Sequence, residues 1–140
     1  VKPRKRKYPA DPMAFARVIA QTELFNEVER RQMALPDRMS FQLLLNGEAE
    51  ETDIRRLIKT ANISLMRCWG TEMQPIAQAA VHALKRCWER HELLGKWGLD
   101  GPARAEIEQG LELHEELVRL STPLQMRDAE RRVAELRNKA

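Results

Sequence analysis

The histidines and cysteines are the side chains to weigh first for chemistry: His82, His91 and His114, with Cys68 and Cys87. A structural zinc draws its ligands in closely spaced pairs, and no His-x3-His, Cys-x2-Cys or His-Glu-x2-His spacing occurs. His82 and His91 are nine residues apart, which sets them on different faces of a helix. His114, followed by Glu115 and Glu116, has the composition of an acid-base site. It also continues a stripe of Ile107, Leu111, Leu117 and Val118, so the plainer expectation is a partly buried, hydrogen-bonded histidine. Neither cysteine has a neighbour beyond its adjacent Arg to lower its pKa, and neither a Gly-x-Ser-x-Gly elbow nor a phosphate-cradling glycine loop is present. The sequence therefore assigns no catalytic residue, no metal ligand and no cofactor site, and the expected protein is not an enzyme.

Both cysteines stand in an Arg-Cys-Trp tripeptide, which invites a disulfide. With Gly70 and Thr71 forming a turn between two helices, Cys87 lies roughly 24 Å along the second helix at about 1.5 Å per residue, too far to bridge. Two reduced, buried thiols are expected, in keeping with a cytoplasmic protein.

Binding potential is concentrated at the N-terminus. Lys2, Arg4, Lys5, Arg6 and Lys7 crowd into the first nine residues with Tyr8, Pro3 and Pro9 and no acid. The chain carries a formal net charge of +3, so with these five cations set aside the remainder is at about −2. Such a flexible basic arm can neutralise phosphates, dock on an acidic protein surface or stay solvated, and Tyr8 can stack on a base or anchor the arm. Five phosphate contacts would give a salt slope of about −4.5, an affinity blind to sequence. Elsewhere the pairs Arg30-Arg31, Arg55-Arg56 and Arg131-Arg132 are offset by nearby acids, and no helix reads as a DNA-recognition helix. Of Trp69, Trp88 and Trp97, the last sits in a glycine-flanked loop and is the one expected to meet a partner.

The elements that position these residues are helical. Aromatic residues make up only 5% of the chain, and no segment alternates as a strand would. Asp11 as N-cap with Pro12 at N1 predicts a first helix to about Ala34, halted by Pro36. A short helix through Phe41, Leu44 and Leu45 should end at Asn46-Gly47. The acidic residues 48–53 suit the N-terminus of a third segment, capped by Thr52, whose stripe Ile54, Leu57, Ile58, Ala61, Leu65 and Cys68 ends at Gly70. The next helix should run to Leu94 with Ile76, Ala79, Ala80, Ala83, Leu84 and Cys87 inward, and this pair is expected to form the bundle centre. Residues 95–102 hold three glycines and a proline and read as a loop. Asp100 can cap a helix to Leu120, and Thr122-Pro123-Leu124-Gln125 forms a capping box for a final helix to about Arg137. In that last helix Leu124, Val133 and Leu136 can serve as core or as the face of a homodimer.

The expected architecture is thus all-α: a compact helical bundle of about five helices over residues 11–140, a single domain, preceded by the basic arm at residues 1–10. No apolar run approaches the ~18 residues of a membrane span, and Asp11, Arg17, Gln21 and Glu23 interrupt any secretory apolar stretch, so neither membrane insertion nor export is expected.

The opening Lys2-Pro3-Arg4-Lys5, the helix end at residues 44–47 ahead of Asp53, the turn Leu99-Asp100-Gly101-Pro102 and the pair Leu113-His114 resemble an uncharacterised family of small helical proteins from bacterial prophages and other mobile elements. The resemblance carries no active site. It implies an accessory role, such as binding and inhibiting or redirecting a host protein, with Lys2, Arg4, Lys5, Arg6, Lys7, Tyr8 and Trp97 as partner contacts. The alternative expectation is a nonspecific nucleic-acid-binding protein in which the arm supplies affinity and the bundle dimerises.

Overall fold

The computed structural model describes Met13 and residues 22–139. The basic arm and the helix start expected at Asp11 lie outside the described residues. Five long helices follow: α1 (Glu27–Leu45), α2 (Glu51–Arg67), α3 (Gln74–Leu94), α4 (Ala103–Leu120) and α5 (Pro123–Lys139). They form an all-α compact bundle, with no strand among the described residues.

The first expectation to fail is the stop at Pro36. Residues 24–26 are not helical, α1 starts after Asn26, and the helix continues through Pro36 to Leu45. The start is fixed by a reciprocal capping box: Asn26 Oδ1 accepts from the Glu29 N–H at 2.8 Å, and Glu29 Oε1 accepts from the Asn26 N–H at 3.1 Å. Pro36 forfeits one backbone hydrogen bond and costs a helix interior about 3 kcal/mol. An unbroken α1 offsets this by presenting Asp37, Ser40, Phe41 and Leu44 together on one buried face. The short helix expected around Phe41 is therefore the second half of α1. It does end as expected: Gly47 takes a left-handed φ of 75°, which lets the Glu48 N–H reach the Leu43 carbonyl at 2.9 Å.

Asp53 rather than Thr52 organises the start of α2. One carboxylate oxygen accepts from the Glu50 N–H at 2.9 Å, and the other accepts from the Ser40 hydroxyl of α1 at 2.8 Å. The two readings for the later helices hold. Asp100 Oδ1 accepts from the Ala103 N–H at 3.0 Å. Thr122 and Gln125 exchange side-chain to backbone hydrogen bonds at 2.9 and 3.2 Å. Asp100 also binds Arg86 at 2.7 Å, and the same guanidinium reaches Glu106 at 2.7 Å, tying the loop at residues 95–102 to both flanking helices.

The bundle centre is α2 alone, not the α2–α3 pair. It packs against every other helix, and Ile54, Leu57, Ala61, Ile63 and Ser64 are buried in doing so. The most intimate pairing is α3 with α4, because Ala77, Ala80 and Ala83 let the backbones approach. At the tightest point a Cβ on Gly110 would stand 2.5 Å from the Ala80 Cβ. In α5 the buried residues are Met126 and Ala129, while Leu124 and Leu136 are exposed.

This close crossing yields a compensation test. Gly110→Ala gains about 1 kcal/mol of helix propensity but forces an overpacked contact costing roughly 1–3 kcal/mol. The expected net is a modest destabilisation in urea unfolding. The swapped double variant Gly110→Ala with Ala80→Gly should return close to the parent, because space and propensity are both exchanged.

Candidate partner-binding groove

Four residues of α2, spaced three or four apart, form hydrogen bonds to α1, to α4 and to the turn after α4. Arg56 donates to the Ser40 hydroxyl at 3.2 Å, Thr60 donates to Asp37 at 2.9 Å, and Arg67 donates to Ser121 at 3.0 Å. Between the last two, Ser64 Oγ lies 2.7 Å from His114 Nδ1. Burial raises the Asp37 carboxyl above its usual range, against the lowering effects of Thr60 and Arg56. Burial also pushes His114 down to about 4, so the imidazole is neutral at physiological pH.

The histidine expected to be partly buried and satisfied is so placed. Ser64 is 1% exposed, which denies a solvent-borne substrate the Ser–His pair as a nucleophile. The neighbouring Glu115 carboxylate is engaged by Arg38 of α1 at 2.6 Å. A hollow of about 440 Å³ beside His114 is lined by Glu27, Glu112, Glu115 and Glu116 against Arg30, Arg31 and Arg119. Arg30 Nε is buried there without a partner among the described residues, but the carboxylates outnumber the guanidiniums, so the hollow does not suit an anion.

Cys68 and Cys87 are free and buried, and burial pushes both thiols up. Among the described residues no three of His, Cys, Asp and Glu are grouped to hold a metal ion, and no helix is long and apolar enough to cross a membrane.

The feature that sequence reasoning missed is a groove along α2, whose lining includes Ile58 and Leu65 from the edge of the core and Asp37, Arg56 and Thr60 of the polar seam. Arg55, Ile58, Asn62 and Leu65 of α2 and Trp69 in the turn after it recur at three and four residues and line this groove of about 1140 Å³. Trp88 of α3 and Val133, Leu136 and Arg137 of α5 contribute to its other sides. Among the described residues α5 packs mainly on α2, with Val118 of α4 joining the contact.

Trp97, expected to be the tryptophan least committed to the core, is half-buried. Its ring stacks on His91 with centroids 3.7 Å apart and planes 6° apart, and it lies 5.2 Å from Trp88. Trp69 is the exposed one, at 62%. Its signal was its place after Ile58, Asn62 and Leu65 in the helical period, on a face whose lack of cover a periodicity does not reveal. The other partner contacts expected, Lys2, Arg4, Lys5, Arg6, Lys7 and Tyr8, lie outside the described residues.

Comparison of the chain with protein-family models, curated proteins and solved structures finds no match.

The buried His114 sets a pH dependence. Unfolding frees it to titrate near 6.5, whereas in the fold it titrates at about 4, so the unfolded chain binds the extra proton between those values. Stability is then complete above pH 6.5 and falls as pH drops toward 4, by about 1.4 kcal/mol per unit and about 3 kcal/mol in all. Asp37, holding its proton more tightly when folded, acts in the opposite sense at the acid end. Urea titrations of parent and His114→Gln across this window should show the slope in the parent and its loss in the variant.

Proposed function

We propose that this protein acts without catalysis, as an accessory protein that captures another protein through the groove along α2. The observation that carries the reading is Trp69, a large aromatic side chain 62% exposed in an open groove that continues over Leu65 and Ile58. Aromatic anchors of this kind dominate binding energy when a partner desolvates them. The resemblance to prophage and mobile-element proteins supports a host protein in the bacterial cytoplasm as the target, inhibited or redirected by capture. The five cations of residues 1–9 fit the same role by speeding encounter with an acidic partner.

A second reading has one observation in its favour, the density of that same cationic run, which suits nonspecific contact with nucleic acid. The two separate in a pull-down from bacterial lysate with and without nuclease, using the full chain, Trp69→Ala and a chain lacking residues 1–9. The expected result is a stoichiometric protein retained despite nuclease, depleted about tenfold by Trp69→Ala and only weakened by loss of the first nine residues. Recovery of nucleic acid alone, abolished without residues 1–9, would replace this reading with the second.

A further inference from the structure

We infer that residues 11–22 of this chain occupy the side of the groove between α1 and α5, with Phe15, Val18 and Ile19 turned into it. The groove has two sides. Arg56 and Thr60 of α2 bond to Ser40 and Asp37, which sets them toward α1, where Met33 and Pro36 line the groove with Val133 and Leu136 of α5. Ile58, Leu65 and Trp69 line it toward Trp88 of α3. On the first side Met33 is 37% and Leu136 59% exposed, and Val133 is half-buried. That side is an apolar seat, and it is the one the N-terminal segment can reach.

Phe25 is half-buried against the cluster of Ile63, Val118, Met126 and Ala129, on which Val133 also packs. Thr22 is helical, and only residues 23–26 separate it from α1, the length of connection that joins antiparallel neighbours. The segment before Thr22 therefore runs back along a flank of α1. One open flank is the hollow beside His114, lined by four carboxylates and three guanidiniums, which an apolar stripe would desolvate without bonding. The other is the groove.

Length and charge fit the groove as well. Asp11, Pro12 and the spacing of Phe15, Val18 and Ile19 give the segment a helix with one apolar stripe. Met13, on the opposite face of that period, is helical and 62% exposed. From Asp11 to Thr22 such a helix spans about 16 Å, as does α5 from Met126 to Arg137. The bonds of Asp37 to Thr60 and of Ser121 to Arg67 set α1 and α5 both antiparallel to α2, so a segment antiparallel to α1 carries Asp11 toward Arg137. Asp11 and Arg17 leave residues 11–22 neutral. The charges of the groove are largely matched among themselves: Lys59 pairs with Glu130 at 2.8 Å, Arg55 pairs with Glu51 at 3.2 Å, and Arg56 favours the ionised Asp37 carboxyl against its burial. A neutral apolar occupant suits such a seat better than residues 1–9, with five cations, or α5 of a second copy, with Arg127, Arg131, Arg132 and Arg137. Tethering through four residues also gives the segment an effective concentration of roughly millimolar, which a separate chain must exceed.

The test is nuclear Overhauser spectroscopy on the full chain, with a mixture of isotope-labelled and unlabelled chains to separate contacts within a chain from contacts between copies. The expected result is cross-peaks within one chain from the Phe15 ring and the Ile19 methyls to Met33, Val133 and Leu136, and none to Trp69. Phe15→Ser combined with Ile19→Ser should remove them and speed amide exchange in α5 about tenfold. The spectra of the parent need no variant, so a failure of the variant to fold leaves the test intact. Absence of the cross-peaks, cross-peaks to Trp69 and Leu65 instead, or α5 exchange unchanged in a folded variant would overturn the inference. Cross-peaks found only between copies would overturn it too, and would make a second copy the occupant.

Discussion

Among the described residues helix α2 has four neighbours and only 17 residues with which to meet them, so most of its surface is allotted. An apolar stripe of Ile54, Leu57 and Ala61 enters the main core. A second stripe, Arg56, Thr60, Ser64 and Arg67, is spent on hydrogen bonds to α1, to α4 and to Ser121 beyond it. These bonds are directional, and sliding α2 by one residue would leave Ser64, Thr60 and Asp37 buried without partners, at roughly 1–3 kcal/mol for each group. The apolar stripe supplies most of the burial; the polar seam fixes register. That division explains why a small bundle tolerates a buried carboxyl and a buried imidazole.

The groove is the consequence of the same allotment. With the core and seam faces committed, Ile63 and Lys59 are left to hold α5, and the remaining flank from Arg55 to Trp69 has no helix over it among the described residues. Among the described residues α5 stands mainly on α2, with Val118 of α4 joining Ile63, Met126 and Ala129 in one small cluster.

Local chemistry was readable where a single side chain decides the backbone. Asp100, Gly47 and the Thr122–Gln125 pair end or begin helices through bonds to residues within a few positions, and each was identifiable from the amino-acid sequence. Pro36 misled because its penalty is local while the compensation, burial of Phe41 and Leu44, is tertiary. Asn26 and Glu29 were the competing signal: an N-cap with an acid at N3, inside a stretch whose apolar spacing read as unbroken helix. The seam was illegible for another reason. Ser64 and His114 are 50 residues apart, and nothing in the local pattern of either names the other. Trp69 and Trp97 were exchanged because a glycine-flanked loop suggests freedom, whereas His91 and Trp88 hold Trp97 in a stack.

The account stands on α2 as the common support of both the core and the open groove, and residue-resolved amide hydrogen exchange of the free chain tests that most directly. The buried stretch of α2 from Ile54 to Ser64 should exchange only through global unfolding, with α5 opening at a distinctly lower free energy because it buries only Met126 and Ala129, in a small cluster with Ile63 and Val118. Protection in α5 equal to that in α2, or early exchange of α2 while α3 and α4 remain protected, would contradict it.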